Sequence, residues 1–212
     1  MNTRAPHGEL VYFADPMCSW CYGFGPALSI FLNAHPALNV QVVMGGLRPY
    51  TQEPMQAAQK QQIRGHWQHV QDASGQIFND ALLMQDRFIY DTEPACRAVV
   101  TARWMKHADV LDFLKAISTA FYRDARDITQ AETLADVAAE NGLDRAAFIS
   151  TLDSPEMREV VKQDFAFSQS LGVQGFPTLC ARIDNTLHVI TNGYASVTSI
   201  EAQYKKLRNE IR

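Results

Sequence analysis

Cys18 and Cys21 are separated by two residues in the stretch Asp15-Pro16-Met17-Cys18-Ser19-Trp20-Cys21-Tyr22. Two thiols at that spacing can exchange with a disulfide: one sulfur attacks, and the other closes an intramolecular bond and releases the product. The segment before them, Glu9 to Ala14 (ELVYFA), has five consecutive apolar residues and reads as a buried strand. The segment after them, Gly23 to Asn33, reads as a helix. A Cys-x-x-Cys carried from a strand into the first turn of a helix has a physical rationale. The first N–H groups of a helix lack intrahelical partners and carry partial positive charge, which favours a thiolate. Cys18 is therefore expected to be the more exposed and more readily ionised thiol, with Cys21 shielded one turn further on.

The competing reading is half of a zinc site. Zinc usually takes four ligands, supplied as two close pairs. Cys96 and Cys180 are isolated, and His66 and His69 lie three apart and far along the chain. No metal is expected. Cys96 falls on an apolar helix face and Cys180 on a strand, and both read as buried hydrophobes.

The sequence of 212 residues is long enough for one sizeable core or a small domain with a large insertion. With 47% hydrophobic and 20% charged residues it has a globular composition. A net charge of −4 gives no reason to expect nucleic acid or an anionic membrane surface as partner. The opening MNTRAPHGEL has no apolar signal-type core, and no run of about 18 apolar residues occurs. The expected address is the cytoplasm, where a Cys-x-x-Cys is more often catalytic than structural.

Along the chain, Val40 to Met44 is a second strand ending in Gly45-Gly46, which either turns the chain or lines a groove. Helical signals follow. Pro54 suits a first turn. Ile63, Trp67 and Val70 share a face, and Asp72 to Gly75 reads as a break. Cys96, Val99, Val100 and Trp104 share a face, as do Val110, Phe113, Leu114, Ile117 and Phe121. Thr129 to Glu132 is a capping-box pattern, and Asp144 and Ser154 are further N-caps. The chain then returns to strands, Thr178 to Ile183 and Leu187 to Thr191, around an Asp184-Asn185 turn. A last helix capped by Ser196 carries Val197, Ile200, Tyr204, Leu207 and Ile211 on one side.

Strand, Cys-x-x-Cys, helix, strand, and much later a hairpin and helix outline an α/β thioredoxin-like fold. The order is βαβ…ββα around a four-stranded mixed sheet, with Phe176-Pro177 opening the third strand. The link from Cys21 to Pro177 is far longer than the roughly 45 residues a bare helix–strand–helix connection needs. The surplus, about 100 residues, reads as helical. The expected division is a core of residues 1–50 and 153–212 with an all-helical insertion, 51–152. That insertion is expected to form a lid over the Cys-x-x-Cys. Its apolar Phe78, Leu82, Leu83, Met84, Phe88, Ile89 and Tyr90 either line a groove or pack on the core.

With these motifs in place the chain resembles the DsbA-like thiol–disulfide oxidoreductases, whose thioredoxin core carries a helical insertion. Asp15 to Phe24 is similar to the D-P-x-C-x-W-C motif of the cytoplasmic protein-disulfide isomerase, or FrnE-like, branch. Gly172-Val173-Gln174-Gly175-Phe176-Pro177-Thr178 is similar to the G-V-x-G-x-P-T segment, whose proline is cis. The resemblance implies Cys18 as nucleophile, Cys21 as resolving thiol and Pro177 as the cis-proline beside them. It also implies that Phe176 contacts substrate. Ser19-Trp20 is neither the Pro-His of the periplasmic oxidases nor the Gly-Pro of thioredoxins, so the direction of electron flow stays open.

Trp20 reads as an exposed substrate contact or as packing under the insertion. Asp15 either tunes or shuttles a proton near the resolving cysteine or opens an Asp-Pro turn. The implied substrates are protein or small-molecule thiols and disulfides. No tightly bound cofactor is expected, and glutathione is the candidate redox partner. Two alternatives stand beside this reading. One is a glutathione-dependent isomerase or transferase of the kappa-class or hydroxychromene-carboxylate isomerase type, which usually carries serine where Cys18 stands. The other is a non-catalytic binding module.

Overall fold

The computed structural model describes residues 9–210. Strand β1 (Glu9–Ala14) enters the Cys-x-x-Cys, helix α1 (Ser19–Ala34) follows, and β2 (Asn39–Met44) returns parallel to β1, pairing Glu9 with Asn39 and Ala14 with Met44. Five helices come next: α2 (Ala57–Ser74), α3 (Glu93–Trp104), α4 (Val110–Tyr122), α5 (Ala131–Glu140) and α6 (Arg145–Leu152). Helix α7 (Pro155–Ser170), the hairpin β3 (Thr178–Ile183) and β4 (Thr186–Asn192), and α8 (Val197–Glu210) complete the described chain. The sheet order is β2-β1-β3-β4, with β3 antiparallel to both neighbours. This is the mixed four-stranded α/β architecture anticipated from the motif order.

Strand β1 is central and buried on both faces, which is why it reads as a continuous apolar run. Leu10, Tyr12 and Ala14 face the main core with α1 and the helical segment. Val11 and Phe13 face the opposite side, with Val43 and Cys180. The edge strand β2 is closed by charge. Asp164 of α7 accepts the Met44 N–H at 2.9 Å, while Arg103 of α3 donates to the Val42 carbonyl at 2.7 Å and to Asp164 at 2.7 and 3.0 Å. Both helices are thereby keyed to a sheet edge that would otherwise offer unpaired backbone groups. The hairpin turns through Asp184 and Asn185, both at positive φ (47° and 64°), the conformation a tight two-residue β-turn requires.

Several helix details differ from the sequence expectation. Helix α2 starts at Ala57 rather than near Pro54, because Gln56 and Gln59 cap each other's backbone. It runs through Asp72 to Ser74 and stops at Gly75. Helix α5 is entered from Gln130; the Thr129 hydroxyl donates instead to Asp127 at 2.6 Å, so the anticipated cap is consumed by the preceding turn. On α3, Cys96, Val99 and Val100 are buried, but Trp104 at the last position is 51% exposed. The anticipated caps at Asp144 and Ser154 accept from Ala147 N and Met157 N. Ile211, expected on the inner face of α8, lies outside the described residues.

The insertion residues that were candidates for a groove are mostly interior. Leu82, Leu83, Phe88 and Tyr90 are buried in the same core cluster as β1 and α1, with Phe78 packed against it. One contiguous core joins the sheet to α3, α4, α5 and α6. Helix α1 meets α2 closely: a Cβ on Gly23 would fall 2.7 Å from Val70. Within that core Arg97 and Glu93 form a buried i,i+4 pair at 2.8 Å, and Arg97 also donates to the Leu152 carbonyl at the end of α6. Arg97→Ala leaves Glu93 as an uncompensated buried charge and is expected to destabilise the protein by about 3–5 kcal/mol in urea unfolding. A loss below ~1 kcal/mol would show that the pair is solvated and dispensable.

Candidate active site

The carboxyl ends of parallel β1 and β2 lie side by side, the position at which ligand sites of α/β sheets gather. From the end of β1 the chain turns through Asp15-Pro16-Met17, held by a Cys18 N–H to Asp15 carbonyl bond of 3.0 Å. Cys18 is the N-cap residue of α1, in extended conformation, and its carbonyl accepts the Tyr22 N–H at 3.1 Å. The Cys18 thiol donates to the carbonyl of Phe176 at 3.4 Å, across 158 positions of sequence. The Phe176–Pro177 peptide bond is cis. The Phe176 ring occupies the space a side chain at Gly45 would need, since a Cβ there would lie 2.0 Å from the ring. So Cys18, Cys21, Phe176, Pro177 and the Gly45-Gly46 turn are assembled in one place.

The expected contrast in exposure is absent. Cys18 is 5% and Cys21 4% exposed, because the 176–177 segment covers the first sulfur. The contrast lies in their surroundings. Burial pushes the Cys21 thiol well above its ordinary pKa, and the neighbouring Cys18 sulfur adds to the shift. Trp20 is half-buried, with its ring 5.6 Å from that of Tyr194, which links α1 to the turn before α8. Cys180 lies in the core on the opposite sheet face, and burial pushes its thiol up to about 11.

Asp15 is fully buried. Its carboxylate accepts the Met17 N–H at 2.8 Å, the Leu47 N–H at 2.7 Å and the Cys96 thiol at 3.3 Å. Loss of solvent raises its pKa above the ordinary carboxylate value, and the two backbone N–H groups pull partly the other way. Cys96 is thus a buried donor to Asp15, its own thiol pushed well up by burial and by that carboxylate. No local sequence signal marks the remaining supports. Tyr90 donates to the Met17 carbonyl at 2.7 Å and stands 3.1 Å from the Tyr122 hydroxyl, while Ser118 donates to the Pro16 carbonyl at 2.9 Å. Thr92 receives the Arg48 N–H, and the Arg48 guanidinium lies over the Tyr90 ring at 5.9 Å.

The DSBA-like thioredoxin domain family matches residues 9–205. The chain belongs to that family. A candidate protein disulfide isomerase from Nitrosomonas europaea is similar to it at 32% identity, covering 96% of this chain and 98% of that one with a TM-score of 0.88. The cytosolic disulfide reductase DsbM from Pseudomonas aeruginosa is similar at 25% identity, with 94% and 98% coverage and a TM-score of 0.78. Among curated relatives, the ClpXP adapter protein SpxH of Bacillus licheniformis is 22% identical over 171 residues, which is 81% of this chain. The aligned part is 56% of SpxH, so the chain spans little more than half the length of that relative. Among the described residues no helix is long and apolar enough to cross a membrane.

The raised pKa of Asp15 fixes the sign of a pH effect. Between the ordinary carboxylate value and the raised folded value, the folded state holds a proton that the unfolded state has lost. Stability conferred by that proton is therefore complete at low pH and falls as pH rises through the folded pKa. Asp15→Asn should remove this fall. Subtracting the urea-unfolding profiles of the two proteins isolates it, and parallel profiles across the acidic range would show that Asp15 does not titrate with folding.

Proposed function

We propose that this protein is a cytoplasmic disulfide reductase or isomerase that cycles Cys18 and Cys21 against protein or glutathione disulfides. The observation that carries the reading is the Cys18 thiol at the N-cap of α1, 3.4 Å from the Phe176 carbonyl. As a thiolate, Cys18 faces the unpartnered N–H groups of the first turn of α1. It attacks one sulfur of a disulfide, the second sulfur leaves as a thiolate, and a mixed disulfide remains on Cys18. Cys21, one turn on, attacks the Cys18 sulfur and expels the substrate thiol. The pair ends as a disulfide, two electrons having passed to the substrate. Two glutathione thiols return the pair to the dithiol and leave as glutathione disulfide.

The glutathione assignment draws support from DsbM, which is also known in a complex with glutathione, and the cytoplasmic assignment from that protein's cytosolic description. An extended substrate backbone can pair with the Phe176 carbonyl as an added strand, with the Phe176 and Trp20 rings beside it. The helical insertion, 51–152, acts in this reading as a brace. It supplies Tyr90, Cys96 and Ser118 to the loop that carries Cys18, with residues 1–50 and 153–212 forming the core it braces. The intact thiol pair separates this reading from a glutathione-dependent isomerase, which has no use for Cys21.

Burial of Cys21 sets the test. Cys21→Ser should attack glutathione disulfide once and stop, accumulating a mixed disulfide detectable as a glutathionyl mass increment, with turnover reduced by at least about 100-fold. Cys18→Ser should take up no glutathione. Full turnover by Cys21→Ser would support the isomerase or transferase chemistry instead. Absence of both turnover and mixed disulfide in the unaltered protein would support a binding module.

A further inference from the structure

The redox cycle leaves one requirement unassigned. Cys21 is buried and must lose a proton before it can attack the mixed disulfide. Asp15 spends its carboxylate on the Met17 N–H, the Leu47 N–H and the Cys96 thiol, and among the described residues no side-chain hydrogen bond joins it to the Cys21 sulfur. Behind Cys21, on the side away from Phe176, a cleft of about 260 Å³ lies between α1, α4 and the segment after α2. At roughly 30 Å³ per water it has room for several. Its inner end is formed by the buried Tyr12, Cys21 and Ser118. Its outer end is formed by Pro26, Ser29, Gln76, Lys115 and Thr119, all at least partly exposed.

Tyr12 makes this cleft unusual. Its ring is in the main core and its side chain is 1% exposed, yet its hydroxyl makes no hydrogen bond of full geometry among the described residues and has only the Cys21 thiol to turn to. The Cys21 thiol stands beside it, and the sulfurs of Cys21 and Cys18 are the charged groups that bear on it. A buried hydroxyl without a partner is costly, and native structures keep few of them. A water in the cleft would satisfy it. Beside the apolar Pro26 and Leu111, part of the outer lining is polar and ordered: Lys115 donates to Ser29 at 2.9 Å, and Gln76 to the Tyr22 carbonyl at 3.3 Å.

We propose that Tyr12 and this cleft form the proton exit for Cys21. This rests on the redox reading above and adds a residue to it. When Cys21 resolves the mixed disulfide, its proton passes to the Tyr12 oxygen while the Tyr12 proton passes to water in the cleft. The sulfur electron pair forms the Cys21–Cys18 bond. The bond from Cys18 to the substrate sulfur breaks, and that sulfur leaves with its electron pair and is protonated by solvent. The titratable groups facing Cys21 are Cys18 and Asp15 from its own segment and Tyr12 from β1, and Tyr22 and Lys115 complete the cleft. Lys115 is paired with Asp112 and so adds little net charge at the mouth.

The test loads Cys18 with thionitrobenzoate as a mixed disulfide and follows release of the coloured thiol by Cys21 over a range of pH. Tyr12→Phe keeps the ring and deletes a hydroxyl that makes no full hydrogen bond to another protein group, so its urea midpoint should stay close to that of the unaltered protein. Release is expected to slow by roughly a hundredfold at neutral pH. It should converge on the unaltered rate as pH rises and Cys21 ionises without help. Release by added dithiothreitol, which does not use Cys21, should be the same in both proteins. Equal Cys21-dependent rates at every pH would overturn the proposal, and so would slowing by a constant factor across the range, which marks altered packing. If the unaltered protein shows no Cys21-dependent release at all, the redox reading falls and this inference with it.

Discussion

The active end of this molecule depends on a carboxylate that faces no cation among the described residues. Asp15 is held by two backbone N–H groups and one thiol, contributed by the loop after β1, the loop after β2 and helix α3. Burying an acid this way is costly, and hydrogen bonds to its oxygens recover only part of that cost. What it provides is position. The Met17 bond fixes the turn that sets Cys18 at the start of α1. The Leu47 bond fixes the turn whose Gly45 receives the Phe176 ring. The same charge discourages ionisation of Cys21 and Cys96, so two of the nearby thiols are biased toward their protonated form.

Around that point the fold works as a set of converging supports. The parallel pair β1–β2 brings two loops to one end, and antiparallel β3 starts at the same end, which is how Phe176 and Pro177 reach Cys18. The helical segment then satisfies the loop from behind: Tyr90 and Ser118 take up the Met17 and Pro16 carbonyls. Tyr22, just past Cys21, stacks on Tyr122 at 5.0 Å and meets Phe78 edge-on at 5.2 Å. These aromatic contacts join α1 to the insertion in one core, so the brace and the redox helix are not independent bodies.

Much of this was legible in local pattern. The bounds of β1 and β3, the caps at Asp144 and Ser154, the 184–185 turn and the clear apolar face of α4 each depend on residues within a few positions of one another. Local pattern misleads where two signals compete. Thr129 looked like a cap but was taken by Asp127, and Pro54 looked like a first turn but Gln56 and Gln59 formed a better one. Trp104 had helical spacing yet fell at a helix end, where the face runs out. The supports of the site were not legible at all. Tyr90, Ser118 and Thr92 act across long sequence separations, and nothing in their neighbours distinguishes them from ordinary core residues. The burial of Cys18 is hidden for the same reason, since its cover arrives from 158 positions away.

The nesting of the Phe176 ring against Gly45 has a consequence for how this site can vary. The two positions share a single volume, 131 residues apart in sequence. A methyl group added at 45 has nowhere to go unless the ring at 176 shrinks or swings out, and the carbonyl beside Cys18 swings with it. Residues 45 and 176 therefore form a size-matched couple in which bulk can be exchanged but not increased. Among relatives that keep this geometry, a larger residue at one position should travel with a smaller one at the other, so the pair can be read as a ruler for how far the substrate-side backbone stands from the sulfur.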